Sequence, residues 1–398
     1  MEILSKAYLS LSTTLNAIIK ILESNGEKVF LAAPTGRAAQ RMSRVTGHEA
    51  KTIHRLLEVD FSNEDLKVFR HNEKNLLKCD AMVIDEMSMV DINIFESVLR
   101  ALPLGCRLIL VGDSDQLPSV GSGNVLGDLI KSQMLPVVQL KEIFRQSMKS
   151  LIVTNAHKIV GGQMPNLTVK DNNFFFLGQN NVEMARDTIV DLCNNRLPKA
   201  YSYSPISDIQ VLCPSRKGYV GTIELNKSLQ EKINPASIQK KEIMINGTLF
   251  REGDKVMQSK NDYQIQITKD DGTLREGVFN GDVGLLLEID KKAGTLYVKF
   301  DDKTAVYDLE SALNIELAYA VTIHKSQGNE FEAVVIPTIA APTPLCYRNL
   351  LYTAVTRAKT LLVLVGNTQT IFKMVDNDRK TRRYSALCEF LKRGDASC

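Results

Sequence analysis

Four short segments carry the residues best suited to phosphate chemistry. "AMVIDEMSMVD" ends an apolar run on Asp85 and Glu86. Ligands of open α/β sheets bind beyond the carboxyl ends of strands. One carboxylate there can hold Mg²⁺, directly or through water, while its neighbour orients the water that attacks a γ-phosphate. An acidic pair also closes many strands that bind nothing. "LILVGDSDQLPSVGSG" repeats the arrangement on the next strand: a Gly-Asp turn follows the apolar run, and Gln116 stands three residues after Asp113. Its amide can reach a γ-phosphate; a solvated turn glutamine is the alternative, weakened by the acidic strand end next to it. Arg145 in "KEIFRQS" and Arg357 in "LLYTAVTRAK" are the third element. Either alone reads as a surface residue. Converging on one phosphate they would act as arginine fingers, a device worth on the order of 10³–10⁵ in the rate of phosphoryl transfer.

A second group suits a polyanion. "TIHKSQG" clusters Thr322, His324, Lys325, Ser326 and Gln327 in a loop between two apolar runs, a set of donors matched to backbone phosphates. His324 taken singly fits a structural histidine equally well. "APTGRAAQRM" enters a helix through Thr35 and Gly36, with Arg37 beside them, and free N–H groups at a helix start attract anions. "KTIHRLL" adds Thr52 and His54.

The elements that must position these residues are short, continuous apolar runs: "KVFLAA", "AMVID", "RLILVG", "VVQL", then "IQVLC", "AVVIP" and "LLVLVG". Continuous apolarity marks strands buried on both faces, hence parallel sheets covered by helices. The runs fall into two sets, before about residue 141 and after about residue 209, which predicts two α/β domains. The stretch around Leu15, Ile18, Ile19 and Leu22 has helical apolar spacing and is ended by Asn25-Gly26, and Val29 to Ala33 follows as a strand. Residues 250–309 alternate and turn at "DDG", "NGD" and "KKAG", the signature of antiparallel hairpins, and are expected to form a small β-barrel with its own core. The polar stretch 58–79 is expected to be an excursion from the first domain. The division is therefore 1–145, 146–249 with 310–398, and 250–309.

Composition narrows the class. A chain of 398 residues with 44% hydrophobic and 24% charged residues is ordinary for a soluble globular protein. A formal net charge of +3 does not by itself argue for nucleic acid, and "RKTRR" at 379–383 reads first as a solvated helix face. Cys79, Cys106, Cys193, Cys213, Cys346, Cys388 and Cys398 show no C-x-x-C pair, so reduced thiols are expected. No signal-peptide pattern and no membrane-length apolar run occurs, and a cytoplasmic location without a membrane partner is expected.

In this order, "APTGRAAQRM", "KTIHRLL", "VIDEMSMVD", "VGDSDQLPSVGSGNVL", "LKEIFRQS", "AYAVTIHKSQGNEFEAVVIP" and "LLYTAVTRAK" resemble superfamily 1 DNA helicases, most closely the RecD-like family that includes RecD and the TraA-type relaxase-helicases. The blocks run from residue 31 to 366, and the set is far more specific than any one of them. The resemblance implies two RecA-like, P-loop NTPase-type α/β domains with an inserted SH3-like barrel, and ATP hydrolysis at a domain cleft driving 5′→3′ stepping along single-stranded DNA. It implies that Asp85 binds Mg²⁺, Glu86 is the catalytic base, Gln116 senses the γ-phosphate, Arg145 and Arg357 contact phosphate, and Glu330 approaches the ribose. Thr35, Gly36, Arg37, Thr52, His54, Thr322 and His324 would line the single-strand track. Residues 58–79 would be the pin at single-strand/duplex junctions. Repair or recombination proteins are the implied partners.

The opening stretch departs from the family. Aligning "STTLNAIIKIL" with the family's "GKTTTLNAII" pattern puts Leu11 at the lysine and Ser10 at the glycine before it, with Lys6 and Tyr8 at earlier glycines. Ser12 and Thr13 remain as hydroxyl ligands for Mg²⁺ and nucleotide. The lysine charge and the glycines that let N–H groups converge on the β-phosphate are missing from these positions. The segments that precede this loop in the family, including its helix-hairpin-helix modules, are expected to be missing as well. The alternative is a catalytically silent DNA-binding protein or a subunit of a recombination or repair complex.

Overall fold

The computed structural model describes residues 2–5, 11–60, 68–140, 149–170, 172–269, 272–301, 303–378 and 385–394. It resolves into two compact units, 1–148 with 379–398, and 149–378.

The first unit is built on a six-stranded parallel sheet in the order Ala50–Thr52, Val29–Ala33, Ala81–Ile84, Arg107–Gly112, Glu2–Ser5, Val137–Gln139. Its apolar runs are continuous because both faces are covered. Ala81, Val83, Ile109 and Val111 face one cluster with Leu15, Ile19 and Leu22 of helix Leu11–Ser24. Met82, Ile84, Leu108 and Leu110 face the other, against Phe95 and Val98 of helix Ile92–Ala101 and Leu126 and Leu129 of helix Val125–Ser132. Each large side chain sealed this way contributes about 1.5–3 kcal/mol. Helix Leu387–Gly394, expected with the second domain, adds Leu387 and Leu391 to this second cluster. Among the described residues of 58–79, Val59–Asp60 pairs antiparallel with Val68–Phe69, and a bridge joins Asn72 to Asn75.

The second unit has a five-stranded parallel sheet in the order Ala320–Thr322, Ile209–Cys213, Phe331–Thr338, Ala358–Gly366, Phe174–Gly178. Inserted into it is a curled seven-stranded antiparallel sheet running from Lys255–Gln258 to Ile315–Leu317. A hairpin, Glu242–Ile245 with Thr248–Arg251, precedes it and turns on Asn246-Gly247, both at positive φ. The expectation of a separate core for residues 250–309 is not met. One buried cluster runs from Ile209, Val211 and Leu225 through Phe250 and Val256 to Ile265 and Val298. Deleting 250–309 behind a short linker is therefore expected to abolish cooperative unfolding of the second unit. A retained sharp calorimetric transition would contradict this.

Candidate nucleotide and nucleic-acid sites

In the first unit, strand register sets the polar groups in a row. Ala32 pairs with Ile84 and Ile84 with Leu110, while Ser5 pairs with Gly112. The carboxyl ends of four adjacent strands thus share one edge, and Thr35, Asp85, Glu86, Asp113 and Gln116 leave from it. The Asp85 N–H extends the ladder to the Ala32 carbonyl at 3.0 Å. Its Oδ1 accepts the Glu86 N–H at 2.8 Å, which fixes the turn. Glu86 is buried and takes φ 55°, ψ 40°, a left-handed conformation that a side chain adopts at a cost of order 1–3 kcal/mol. The 3₁₀ turn Met87–Met89 follows directly.

Asp113 and Gln116 are both buried, and the Gln116 Nε2–H donates to Asp113 Oδ2 at 3.2 Å. Asp113 Oδ1 accepts the Asp115 N–H at 2.9 Å. The carboxylate therefore orients the amide that could face a phosphate. Gly112 is required here because an added Cβ would lie 2.9 Å from Leu126 and 3.1 Å from the Met87 nitrogen, so this strand end passes flush against the Glu86 turn.

Strand Glu2–Ser5 had no signal in the sequence. It lies between Arg107–Gly112 and Val137–Gln139, with later strands on both sides, the position where the chain order reverses and ligands bind in such sheets. Helix Leu11–Ser24 follows it and carries Ser12 and Thr13 in its first turn. Residues 6–10 and Arg145 lie outside the described residues.

Thr35 and Thr52 each cap a helix. Thr35 Oγ1 accepts the Ala38 N–H at 3.3 Å and Thr52 Oγ1 the Arg55 N–H at 3.2 Å, caps worth about 1 kcal/mol each. Each hydroxyl accepts in its cap and retains a proton of its own. Gly36 opens the helix after Thr35 and Arg37 is half-buried beside it. The His54 ring rests against Phe69 with centroids 5.9 Å apart.

In the second unit, strand Ala320–Thr322 leads into the 3₁₀ turn His324–Ser326. The backbone leading into it is held by buried amides: Asn226 bonds both the N–H and the carbonyl of Ala320, and Gln210 donates to the Ala318 and Tyr319 carbonyls. Two of the donors expected for phosphate are used within the fold. Lys325 Nζ pairs with Glu316 at 2.6 Å, and Ser326 Oγ donates to the Ile323 carbonyl at 2.7 Å while fully buried. Gln327 is buried too. Thr322 and His324 remain half-buried, with Thr322 Oγ1 accepting the Lys325 N–H at 3.4 Å. Burial pushes the His324 imidazole below its ordinary range, so the ring is neutral at neutral pH. Glu330 is half-buried before strand Phe331–Thr338. Arg357 is buried, its Nε donating to the Thr353 carbonyl at 3.3 Å and an Nη to that of Asn329 at 3.1 Å. Sequence reasoning missed the members of this unit that do the positioning, Asn226, Gln210 and Tyr319.

Among the described residues no cluster of three or more His, Cys, Asp or Glu is placed to enclose a metal, and no helix is long and apolar enough to cross a membrane. A lone Asp85 at a strand end nevertheless fits Mg²⁺ of the kind that keeps its waters and rides on substrate phosphates.

Residues 11–122 match an AAA domain, 225–300 the SH3 domain of ATP-dependent RecD-like DNA helicases, and 317–365 a UvrD-like helicase C-terminal domain. The chain is 34% identical to the ATP-dependent RecD2 DNA helicase of Deinococcus radiodurans over 96% of its own length and 48% of that protein's. It is 28% identical to the RecBCD enzyme subunit RecD of Mycolicibacterium smegmatis, over 85% of its length and 62% of the subunit's. The chain thus spans about half to two thirds of these relatives. Among solved structures, the Pif1 helicase from Bacteroides in complex with ADP-AlF3 and ssDNA superposes with a TM-score of 0.56 at 20% identity, covering 100% of this chain and 93% of that one. The same helicase bound to ssDNA gives 0.53 at 18% identity, covering 93% and 90%.

Proposed function

The chain belongs to the RecD-like superfamily 1 helicases, and on that premise we propose that it is the core of an ATP-dependent DNA helicase that steps 5′→3′ along single-stranded DNA. The observation that carries this reading is the row formed by Asp85, Glu86, Asp113 and Gln116 at adjacent strand ends. Glu86 accepts the proton of the attacking water, and its strained backbone holds it in place. Gln116, tied to Asp113, bonds the γ-phosphate and passes its presence into the loop that follows. Asp85, with Ser12, would hold Mg²⁺, which supplies charge neutralisation on the phosphates when bound. Thr13 would serve the nucleotide. Arg145 and Arg357 would stabilise the charge that develops on the phosphoryl group, and Glu330 would meet the ribose. Single-stranded DNA would run along Thr35, Gly36, Arg37, Thr52 and His54 in the first unit and Thr322 and His324 in the second. The ladder within 58–79 would meet a single-strand/duplex junction. Repair or recombination proteins would be its partners.

The second reading, a DNA-binding protein without turnover, is favoured by the composition of residues 6–12. Both readings require the track. Thr322→Ala with His324→Ala is expected to weaken single-strand binding about thirtyfold, two neutral hydrogen bonds at about 1 kcal/mol each. Because His324 is neutral at neutral pH, the slope of log K against log salt should stay unchanged. Fluorescence anisotropy across a salt series reads both quantities. Unaltered affinity in the double variant would remove the second-unit part of the track.

A further inference from the structure

We propose that Cys79 and Cys106 are a modification site at which a hydroperoxide forms a disulfide, stapling together the two strands that carry the acidic row. The two Sγ atoms lie 3.8 Å apart. Cys79 enters strand Ala81–Ile84 and Cys106 enters Arg107–Gly112. These strands are parallel neighbours, with Ala81 opposite Arg107 and the Arg107 N–H bonded to the Asp80 carbonyl at 2.9 Å. The pair is thus at the amino ends of the strands, opposite the edge that bears Asp85 and Asp113. The Leu104-Gly105 turn presents Cys106: Gly105 has φ 84°, and the Cys106 N–H bonds the Pro103 carbonyl at 3.1 Å. A disulfide bond of about 2 Å asks the sulfurs to approach by roughly 1.8 Å, within reach of side-chain rotation.

Exposure orders the steps. Cys79 is buried, whereas Cys106 is half-buried and reachable from solvent. The Cys106 thiolate attacks the distal oxygen of the hydroperoxide; the O–O bond breaks, and a sulfenic acid and an alcohol (water, for hydrogen peroxide) result. The Cys79 sulfur then attacks the Cys106 sulfur. An S–S bond forms, the S–O bond breaks, and the departing hydroxide leaves as water with the Cys79 proton. Burial pushes the Cys79 thiol up to about 12, with Cys106 and Asp80 adding to the rise and Lys28 opposing it, and burial raises Cys106 as well. Both thiols are therefore slow nucleophiles, and the staple forms under sustained oxidant. The other described thiols, Cys193, Cys213, Cys346 and Cys388, are buried and serve as internal references.

The sequence makes the test direct. Trypsin cuts at Lys78, Arg100 and Arg107, which puts each cysteine in its own peptide, 79–100 and 101–107. The full chain is incubated with hydrogen peroxide, alkylated and digested. The expected result is a linked 79–100/101–107 pair that dithiothreitol separates, with the melting transition of the first unit shifted up by about 5 °C, reversibly. Cys106→Ser should show neither. Two alkylated peptides, a sulfinic acid at Cys106 without linkage, or linkage to another cysteine would overturn the site. Linkage without a melting shift would overturn the staple.

Discussion

As it stands the chain is expected to release phosphate from ATP near background. Replacing residues 5–12 with Gly-Gly-Pro-Gly-Thr-Gly-Lys-Thr is expected to raise DNA-stimulated turnover by about two to three orders of magnitude. Strand Glu2–Ser5, which would lead into a phosphate loop, lies between Arg107–Gly112 and Val137–Gln139, and helix Leu11–Ser24 comes next among the described residues. Residues 6–12, "KAYLSLS", hold no glycine to let N–H groups converge and no lysine at position 11, and the expectation rests on that composition. Stabilising a developing phosphate charge needs donors on several sides, and arginines with a metal on one side do not position the phosphate chain. In the repaired chain Glu86→Gln should cut turnover by roughly 10²–10⁴, the range of a lost general base. Phosphate release with and without single-stranded DNA measures all three proteins. Brisk turnover by the unrepaired chain would mean that other residues cradle the phosphates. Silence after repair would mean that the helicase reading needs more of the protein than this chain supplies.

The acidic row was readable because each member sits where a continuous apolar run stops, and such a run fixes both a buried strand and its ligand-facing end. Strand Glu2–Ser5 was not readable. Four residues with a glutamate among them carry no period, and pairing with Arg107–Gly112 and Val137–Gln139 makes them a strand. Ala50–Thr52 is equally silent and is recruited by Val29–Ala33. In the "TIHKSQG" loop the donor types were legible but their partners were not. Glu316, which takes Lys325, looks in the sequence like any strand-edge carboxylate. The barrel's hairpins were legible from their turns. Its shared core was not, since Val256 and Ile209 meet only in three dimensions.

Asp254 is the clearest case of a residue whose weight comes from distant partners, and its removal should be among the most damaging single changes in the second unit. In "REGDKV" it reads as a turn aspartate, yet it is fully buried. Its Oδ1 accepts from Asn234 Nδ2 at 2.7 Å and the Tyr319 hydroxyl at 2.9 Å; its Oδ2 accepts from Gln230 Nε2 at 2.6 Å and the Arg251 N–H at 2.7 Å. One carboxylate thereby ties helix Thr222–Ile233, the hairpin, the inserted sheet and the approach to strand Ala320–Thr322. Asp254→Ala strands four donors and should lower stability by about 3–5 kcal/mol, as for a buried charge network that loses one partner. Asp254→Asn keeps the shape but turns an N–H₂ toward two donors, so it should lose less and still lose substantially. Burial pushes the Asp254 carboxyl up, against the pull of its hydrogen bonds. A folded-state pKa above the unfolded one makes this group's contribution full below the ordinary carboxylate range and erodes it as pH rises through the folded value. Asp254→Asn should therefore flatten the pH dependence of stability over that interval. Because Tyr319 immediately precedes Ala320–Thr322, both variants should also weaken single-strand binding through Thr322 and His324. Urea titrations at several pH values, run beside the anisotropy assay, separate the two effects. An Asp254→Ala protein that unfolds at the wild-type midpoint would show that the four donors find other partners and that the hub holds nothing in register.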